Sequence, residues 1–222
     1  MRKILEHYCL SEHSNGLLLL SMPTGFGKTY NVLNFIYEHY QEFSAQGRKI
    51  LFITNLKKNL PISELRNRFE KDGKINEFEK NVLFIDSNAD SIVKNLVSVD
   101  SEIPDSFKTS KYSRLKSYIE TLNQKNQLPA VKDIFASEIK RELEPAFRKF
   151  VTEVLYKEFK TKSARLSEIK NNRDFQWIGK LYPAVFTDER TVLFLSMDKF
   201  FVKNTTLIEQ SYYFHEHLIR IL

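Results

Sequence analysis

The sequence predicts an α/β fold with a parallel sheet that a basic helical segment interrupts. Short apolar runs closed by turn residues alternate with stretches of helical periodicity near both ends of the chain, which is the pattern of alternating strands and helices. The stretch between them has helical periodicity only and a surplus of Lys and Arg. We therefore expect residues 1–100 to form the first part of an α/β domain, residues 101–178 a helical insertion, and residues 179–222 the return to that domain.

Four apolar runs are typical of strands buried on both faces of a parallel sheet, because each has four consecutive apolar residues and ends in a polar residue or a turn. The predicted strands cover residues 17–20, 49–54, 82–86 and 191–196. Apolar residues at intervals of three and four predict helices over residues 31–40, 62–69 and 208–222.

The central segment carries the positive charge of the chain. Residues 107–173 contain 16 Lys and Arg against 8 Asp and Glu, whereas the formal net charge of the whole chain is only +6. An apolar stripe at helical spacing predicts a packed helix there. The stripe consists of Ile139, Leu143, Phe147, Phe150, Val151, Val154, Leu155 and Phe159. Basic residues with aromatic neighbours can bind single-stranded nucleic acid, but the phenylalanines of the stripe favour packing, so a solvated face or a protein-binding surface is the stronger alternative.

The composition narrows the class of protein. Cys9 is the only cysteine, so an intrachain disulfide is excluded, and a reducing cytoplasm is expected. No apolar run approaches the length of a membrane span, and we expect no membrane partner. The net positive charge favours a polyanionic partner, although charge alone does not identify one.

Residues 17–29 have the order that a phosphate-binding loop requires. A predicted strand leads into a turn with two glycines, followed by Lys28, Thr29 and a predicted helix. Such a turn presents backbone N–H groups to phosphates, the lysine reaches the β- and γ-phosphates, and the hydroxyl next to it binds Mg²⁺. The alternative is a tight turn that carries Lys-Thr by chance. Met22 stands where the common form of the motif has its first glycine.

The run Pro23-Thr24-Gly25-Phe26-Gly27-Lys28-Thr29 resembles motif I of superfamily 2 helicases and translocases, the DEAD/DEAH and type III restriction-enzyme-like ATPases of bacterial defence systems among them. The resemblance implies the amino-terminal RecA-like domain of such a protein, with ATP and Mg²⁺ as its cofactors. It implies that the seven residues of the run hold the nucleotide. Lys28 would act as the catalytic cation and Thr29 as the Mg²⁺ ligand.

Two further strands resemble those that carry motifs Ia and Ib of the same superfamily, where a hydroxyl residue contacts the nucleic-acid backbone. Thr54 ends the first of these strands, with Asn55 where proline is common, and Ser196 ends the second. The resemblance implies that both side chains touch DNA or RNA. The alternative for each is an ordinary buried strand that ends in a small polar residue.

Hydrolysis also needs carboxylates that hold Mg²⁺ and position water, which motif II of the superfamily supplies as Asp-Glu after a strand. Asp188-Glu189 has the right residues but looks like a charged turn, and Asp86 follows a good strand but precedes Ser87. We favour a third interpretation, in which motif II lies beyond Leu222.

Three functions follow from these alternatives. The first is the ATP-binding domain of a helicase-like translocase that hydrolyses ATP poorly as this chain alone. The second is a nucleotide-binding interaction or regulatory module that does not hydrolyse ATP. The third is a small phosphotransferase that uses Asp86.

His215-Glu216-His217 is not expected to bind a metal, because residues two apart on a helix point to different faces.

Overall fold

A computed structural model describes residues 1–11, 18–124, 126–209 and 211–215. The chain forms two compact units. The sheet unit comprises Met1–Phe84 and Glu189–Phe200, and the helical unit comprises Ile85–Asp188 and continues from Phe201. The helical unit thus begins well before residue 101, the first residue of the helical insertion that the sequence predicts. The reason is that Ile92 and Leu96 are fully buried in the core of the helical unit.

In the part of the first unit that the structure describes, the sheet consists of three parallel strands. They are β1 (Ile50–Thr54), β2 (Val82–Phe84) and β3 (Val192–Ser196), and β3 lies between the other two. Residues 192–195 of β3 are fully buried, as expected for a central parallel strand with apolar residues on both faces. Each of these strands was predicted from its apolar run. The strand predicted over residues 82–86 is shorter in the structure, where β2 ends at Phe84.

In the described residues of the sheet unit, four helices precede β2 and one more helix starts directly after β3. They are α1 (Arg2–Leu10), α2 (Lys28–Ala45), α3 (Ile62–Lys71), α4 (Ile75–Asn81) and α11 (Met197–Phe201), and a short 3-10 turn (Lys57–Asn59) follows β1. The helices predicted over residues 31–40 and 62–69 are therefore confirmed as parts of α2 and α3. Side chains at helical spacing on α2 pack with α3 and with β2 and β3. This cluster contains Leu33, Ile36, Tyr40, Leu65, Phe69, Val82, Val192 and Phe194.

The strand predicted over residues 17–20 is wrong for the residues that the structure describes. Residues 18–21 have no regular secondary structure, and Leu19 is 81% exposed. A strand forms only where a neighbour accepts and donates its backbone hydrogen bonds, and the three described strands pair with one another. Leu17 itself lies outside the described residues.

The helical unit has its own core. Its helices are α5 (Asn88–Val99), α6 (Ser110–Leu122), α7 (Pro129–Glu138), α8 (Glu144–Glu158), α9 (Lys162–Asn171) and α10 (Gln176–Leu181). A π-helical turn (Ile139–Leu143) joins α7 to α8, and 3-10 turns cover Asp100–Glu102, Asp105–Phe107 and Pro183–Glu189. Ile139, Leu143, Phe147, Val151 and Leu155 are buried, which confirms the centre of the predicted stripe. Phe150, Val154 and Phe159 pack against this core while partly exposed.

The helix predicted from residue 208 is also wrong as far as residue 215. Asn204 and Tyr212 form an antiparallel bridge, with reciprocal backbone hydrogen bonds of 2.9 and 3.1 Å. Tyr212 and Phe214 are both buried, and their spacing of two is that of extended chain. Residues 216–222 lie outside the described part of the chain. Nowhere in the described residues is a helix long and apolar enough to cross a membrane.

Candidate nucleotide-binding loop and strand-end surface

The loop that precedes α2 depends on its two glycines. Gly25 has a φ of +84° and Gly27 a φ of +71°, values that side chains with a Cβ rarely adopt. The backbone N–H of Phe26 donates to the carbonyl of Pro23 at 3.4 Å, which closes the turn. Gly27 is the residue at which the chain enters α2. The glycines therefore permit the tight curl that leads directly into the helix.

The ammonium of Lys28 lies against this curl. Its Nζ donates hydrogen bonds to the carbonyl oxygens of Met22 at 2.7 Å and Pro23 at 3.1 Å. The cation is thus held by loop carbonyls within a few ångströms of the backbone, while the residue as a whole is exposed. Phosphate oxygens are stronger acceptors for an ammonium than neutral carbonyls, so this cation is available to a polyanion that enters the loop.

The first turn of α2 adds backbone donors. The N–H groups of Lys28, Thr29 and Tyr30 belong to the first turn, where helical N–H groups have no acceptor within the helix. Gly27 gives the helix no side-chain cap, and the first turn carries no acidic residue. The side chain of Asn31 donates to the Gly27 carbonyl at 2.8 Å and thereby fixes the entry to the helix. The helix dipole and these donors together favour an anion at this end.

The donor set fits a magnesium nucleotide. An ammonium, several backbone N–H groups and the exposed hydroxyl of Thr29 meet in one short stretch of chain. Mg²⁺ prefers oxygen ligands and retains waters, so one hydroxyl together with phosphate oxygens suffices on the protein side. Of the remaining loop residues, Pro23, Thr24 and Phe26 are exposed.

The structure brings Thr54 and Ser196 together, which the sequence alone could not establish. They end β1 and β3 and are Cα partners across the parallel pair. The Thr54 hydroxyl donates to the Leu56 carbonyl at 2.8 Å, and the Ser196 hydroxyl accepts from the Lys199 N–H at 3.4 Å. Both hydroxyls therefore lie at the carboxyl end of the sheet, where ligands of open α/β sheets bind.

Sequence reasoning missed the cations that adjoin these hydroxyls. Lys57 and Lys58 are exposed on the 3-10 turn directly after β1, and Lys199 follows Ser196 on α11. The Lys57 ammonium lies 5.4 Å from the centre of the Phe84 ring, which orients the side chain. The signal was a pair of lysines three and four residues after Thr54. We call Thr54, Lys57, Lys58, Ser196 and Lys199 the strand-end surface.

The two carboxylate candidates have other partners. Asp188 belongs to the 3-10 turn Pro183–Glu189 and forms an ion pair with Lys162 at 2.6 Å, so its Asp-Glu pair does not follow a strand. Asp86 lies two residues beyond β2 and accepts from the ammonium of Lys94. Of the His215-Glu216-His217 run, only His215 lies within the described residues.

Among the described residues, one group of side chains in the sheet unit has metal-ligand chemistry. Oxygen and nitrogen atoms of Glu6, Glu38 and His39 lie within 4.8 Å of one another. Arg2 already forms ion pairs with both carboxylates, at 2.8 Å to Glu6 and 3.0 Å to Glu38. A guanidinium that neutralises both acids competes directly with a cation at this point.

A glycine loop that enters a helix with Lys-Thr, in a unit that also contains a parallel sheet, is typical of nucleotide-binding proteins of the P-loop class. A family model described as type III restriction enzyme, res subunit, matches residues 1–218. The chain therefore belongs to this family and carries a superfamily 2 helicase-like ATP-binding domain with a RecA-like α/β fold. This confirms the resemblance that motif I suggested, and a search among curated proteins finds no match.

Proposed function

We propose that residues Pro23 to Thr29 bind ATP with Mg²⁺. In this proposal the ammonium of Lys28 neutralises the β- and γ-phosphates, the hydroxyl of Thr29 binds Mg²⁺, and backbone N–H groups from Gly25 to Thr29 hold the phosphate oxygens. The observation that carries the proposal is the pair of left-handed glycines leading into α2 with the Lys28 ammonium folded onto the loop. Bound Mg²⁺ would supply charge neutralisation between the phosphates.

Titration with a labelled ATP analogue in the presence of Mg²⁺ tests this proposal. Lys28→Ala should weaken binding about tenfold or more, since a charge-assisted hydrogen bond contributes roughly 1.5–3 kcal/mol. Lys80→Ala is the matched control, because Lys80 is an exposed lysine on α4 of the same unit. Equal affinity of Lys28→Ala and the unmodified protein for the ATP analogue would contradict the proposed phosphate site.

The strand-end surface is our candidate for contact with a nucleic-acid backbone. Its support is that two hydroxyls at adjacent strand ends lie in register, with Lys57 and Lys58 following one of them. Hydroxyl and ammonium groups are the usual donors to backbone phosphates, and such contacts carry no sequence information. We therefore propose DNA or RNA as the partner. The match to the type III restriction enzyme family supports the further proposal of a defence system, and the single cysteine supports a reducing cytoplasm as its location.

We further propose that this chain alone turns ATP over slowly. The support is that Asp188 and Asp86 are each engaged by a lysine, and that Asp188 lies in a 3-10 turn. Robust hydrolysis by the 222-residue protein that is lost in Asp188→Asn would overturn this proposal. Phosphoryl transfer from ATP to a small acceptor, abolished in Asp86→Asn, would instead favour the phosphotransferase alternative.

A non-hydrolysing interaction or regulatory module is the second candidate function. The same engaged carboxylates favour it, because binding without turnover is sufficient for a nucleotide-dependent switch. Hydrolysis that stays undetectable when nucleic acid is added, together with tight ATP binding, would support this candidate over the translocase.

A further inference from the structure

The aromatic ring of Tyr30 lies next to the proposed phosphate loop with much of its surface in solvent. Tyr30 is the residue after Thr29 and belongs to the first turn of α2, and it is 63% exposed. Side chains of a helix tilt towards its amino-terminal end, so a ring in the first turn leans towards the loop. A large exposed ring at this position is not explained by core packing.

One face of this ring is covered by a cation from α3. The guanidinium carbon of Arg68 lies 4.6 Å from the centre of the Tyr30 ring, within the range of a cation–π interaction. Arg66, on the same helix, pairs with Glu70 at 3.0 Å and Glu79 at 3.6 Å. In the described residues no carboxylate forms an ion pair with Arg68. The contact that the structure shows for its guanidinium is the ring of Tyr30.

A second tyrosine on the same helix shows what a purely structural arrangement looks like. Tyr37 lies two turns further along α2, and the Lys74 ammonium lies 5.3 Å from its ring centre. Its ring also packs edge-on against Phe69 at 4.8 Å, and its hydroxyl donates to Asp72. Tyr37 is thus held by three neighbours, whereas the ring of Tyr30 has a cation on one side and a large solvent-exposed surface.

We propose that the exposed face of Tyr30 stacks on the base of the bound nucleotide, with Arg68 supporting the ring from its other side. The inference rests on the proposed ATP site and adds its base-binding part. An aromatic face accepts any base, because every base has a π surface. The platform therefore distinguishes a nucleotide from bare phosphates and does not distinguish ATP from GTP.

The test compares Mg²⁺–ATP with inorganic tripolyphosphate, which has the phosphates and lacks the base, by calorimetric titration. Tyr30→Ala should weaken ATP about tenfold, the order expected for loss of one base–aromatic stack, and should leave tripolyphosphate unchanged. Arg68→Ala should weaken ATP about threefold through the lost cation–π support, again without effect on tripolyphosphate. Tyr30→Phe keeps the ring and should bind ATP as the unmodified protein does.

Tyr37→Ala and Lys74→Ala are the matched controls, since they remove the same kind of aromatic–cation pair from the same helix two turns from the loop. They should lower the thermal midpoint and leave the ratio of ATP to tripolyphosphate affinity unchanged. Unchanged ATP affinity in Tyr30→Ala would overturn the base platform. Loss of tripolyphosphate affinity in Arg68→Ala would show a phosphate contact instead and would also overturn it.

The Lys28→Ala variant separates this inference from the phosphate site on which it rests. It should weaken ATP and tripolyphosphate together. If it weakens both while Tyr30→Ala weakens neither, the phosphate site stands and the base platform is wrong. If Lys28→Ala weakens neither ligand, the proposed phosphate site itself is wrong.

Discussion

At the scale of single residues, the conformation of Gly27 couples the loop to α2. Its φ of +71° lies in the left-handed region, and a Cβ built there would meet only the Asn31 side-chain nitrogen, at an ordinary 3.5 Å. The cost of Gly27→Ala is therefore conformational, about 1–2 kcal/mol, and not steric. We expect Gly27→Ala to lower the free energy of unfolding by that amount and to weaken ATP binding about tenfold, a change of about 1.4 kcal/mol.

Gly47 offers a matched control for this prediction. It has a φ of +65° just beyond the carboxyl end of α2, and nothing lies within 4 Å of a Cβ built on it. Gly47→Ala should cost the same conformational energy in chemical denaturation and leave ATP affinity unchanged. Equal ATP affinity in Gly27→Ala and Gly47→Ala would contradict a role of the loop conformation in binding.

At Gly179 the constraint is steric, because the surrounding side chains leave no room for a Cβ. A Cβ at this position of α10 would lie 2.5 Å from Cζ of Phe186 and 3.1 Å from Cγ2 of Ile169. Alanine is favoured over glycine within a helix by about 1 kcal/mol, whereas overpacking costs about 1–3 kcal/mol. We expect Gly179→Ala to lower the urea midpoint, with a net loss of about 1 kcal/mol.

Phe186 supplies the check on that prediction. Its ring is partly exposed and provides the two closest contacts to the new methyl group. Shortening it in the double variant Gly179→Ala/Phe186→Leu should recover part of the lost stability relative to Phe186→Leu alone. A double variant whose two losses simply add would place the cause of the destabilisation elsewhere.

At the scale of elements, the apolar runs predicted three strands well and one wrongly. The runs at residues 50–54 and 192–195 form β1 and β3, which pair in parallel. β3 also pairs in parallel with β2 on its other side. The run that ends at residue 20 is equally apolar, although it consists of leucine alone, yet residues 18–20 form no strand. Composition reports that a segment can be buried, but a strand also needs a partner, and the partner is a property of the whole sheet. Likewise, the pairing of Thr54 with Ser196 follows from the strand order, which no local pattern contains.

An ion and hydrogen-bond network ties α6 to the 3-10 turn at Asp100–Glu102. The Asp100 carboxylate accepts from Lys116 at 2.8 Å and from the hydroxyl of Tyr112. The hydrogen bond from Lys116 makes the largest contribution and the one from Tyr112 the next, and together they hold the pKa of Asp100 below its ordinary value. A carboxylate with a lowered pKa stabilises the fold above its unfolded pKa of about 4, and the stabilisation is lost as pH falls through the folded-state pKa.

Asp100→Asn should therefore lower the free energy of unfolding by about 1 kcal/mol at pH 7, and the difference from the unmodified protein should shrink below about pH 4. Asp105→Asn is the control, because Asp105 pairs with Lys108 at 3.1 Å with its side chain 97% exposed. Denaturant unfolding across pH 3–7 measures both. A deficit in Asp100→Asn that stays constant over this range would contradict the assigned role of the carboxylate.

At the scale of the whole molecule, the charge pattern and the site lie in different parts of the chain. The surplus of Lys and Arg falls on residues 107–173, all in the helical unit, whereas the loop and the strand-end surface belong to the sheet unit.

The loop could be predicted because its chemistry is local, with seven consecutive residues that carry it. Lys57 and Lys58 were missed because a count of charge per segment does not show which lysines adjoin a strand end. Arg68 was missed because its contact with Tyr30 joins two helices.

Salt dependence can decide which of these two regions carries nucleic-acid binding. Each phosphate contact that is removed lowers the magnitude of the negative slope of log K against log salt concentration by about 0.9 for duplex DNA and about 0.7 for single strands. The double variant Lys57→Ala/Lys58→Ala should therefore weaken binding and reduce the magnitude of the slope by about 1.8 for duplex DNA or about 1.4 for single strands. The control is Lys140→Ala/Arg141→Ala, which removes two exposed charges from the helical unit. It should change the slope little, because charges outside the contact release no counterions. A larger effect of the control, measured by fluorescence anisotropy between 50 and 200 mM salt, would move the interface to the basic helical unit.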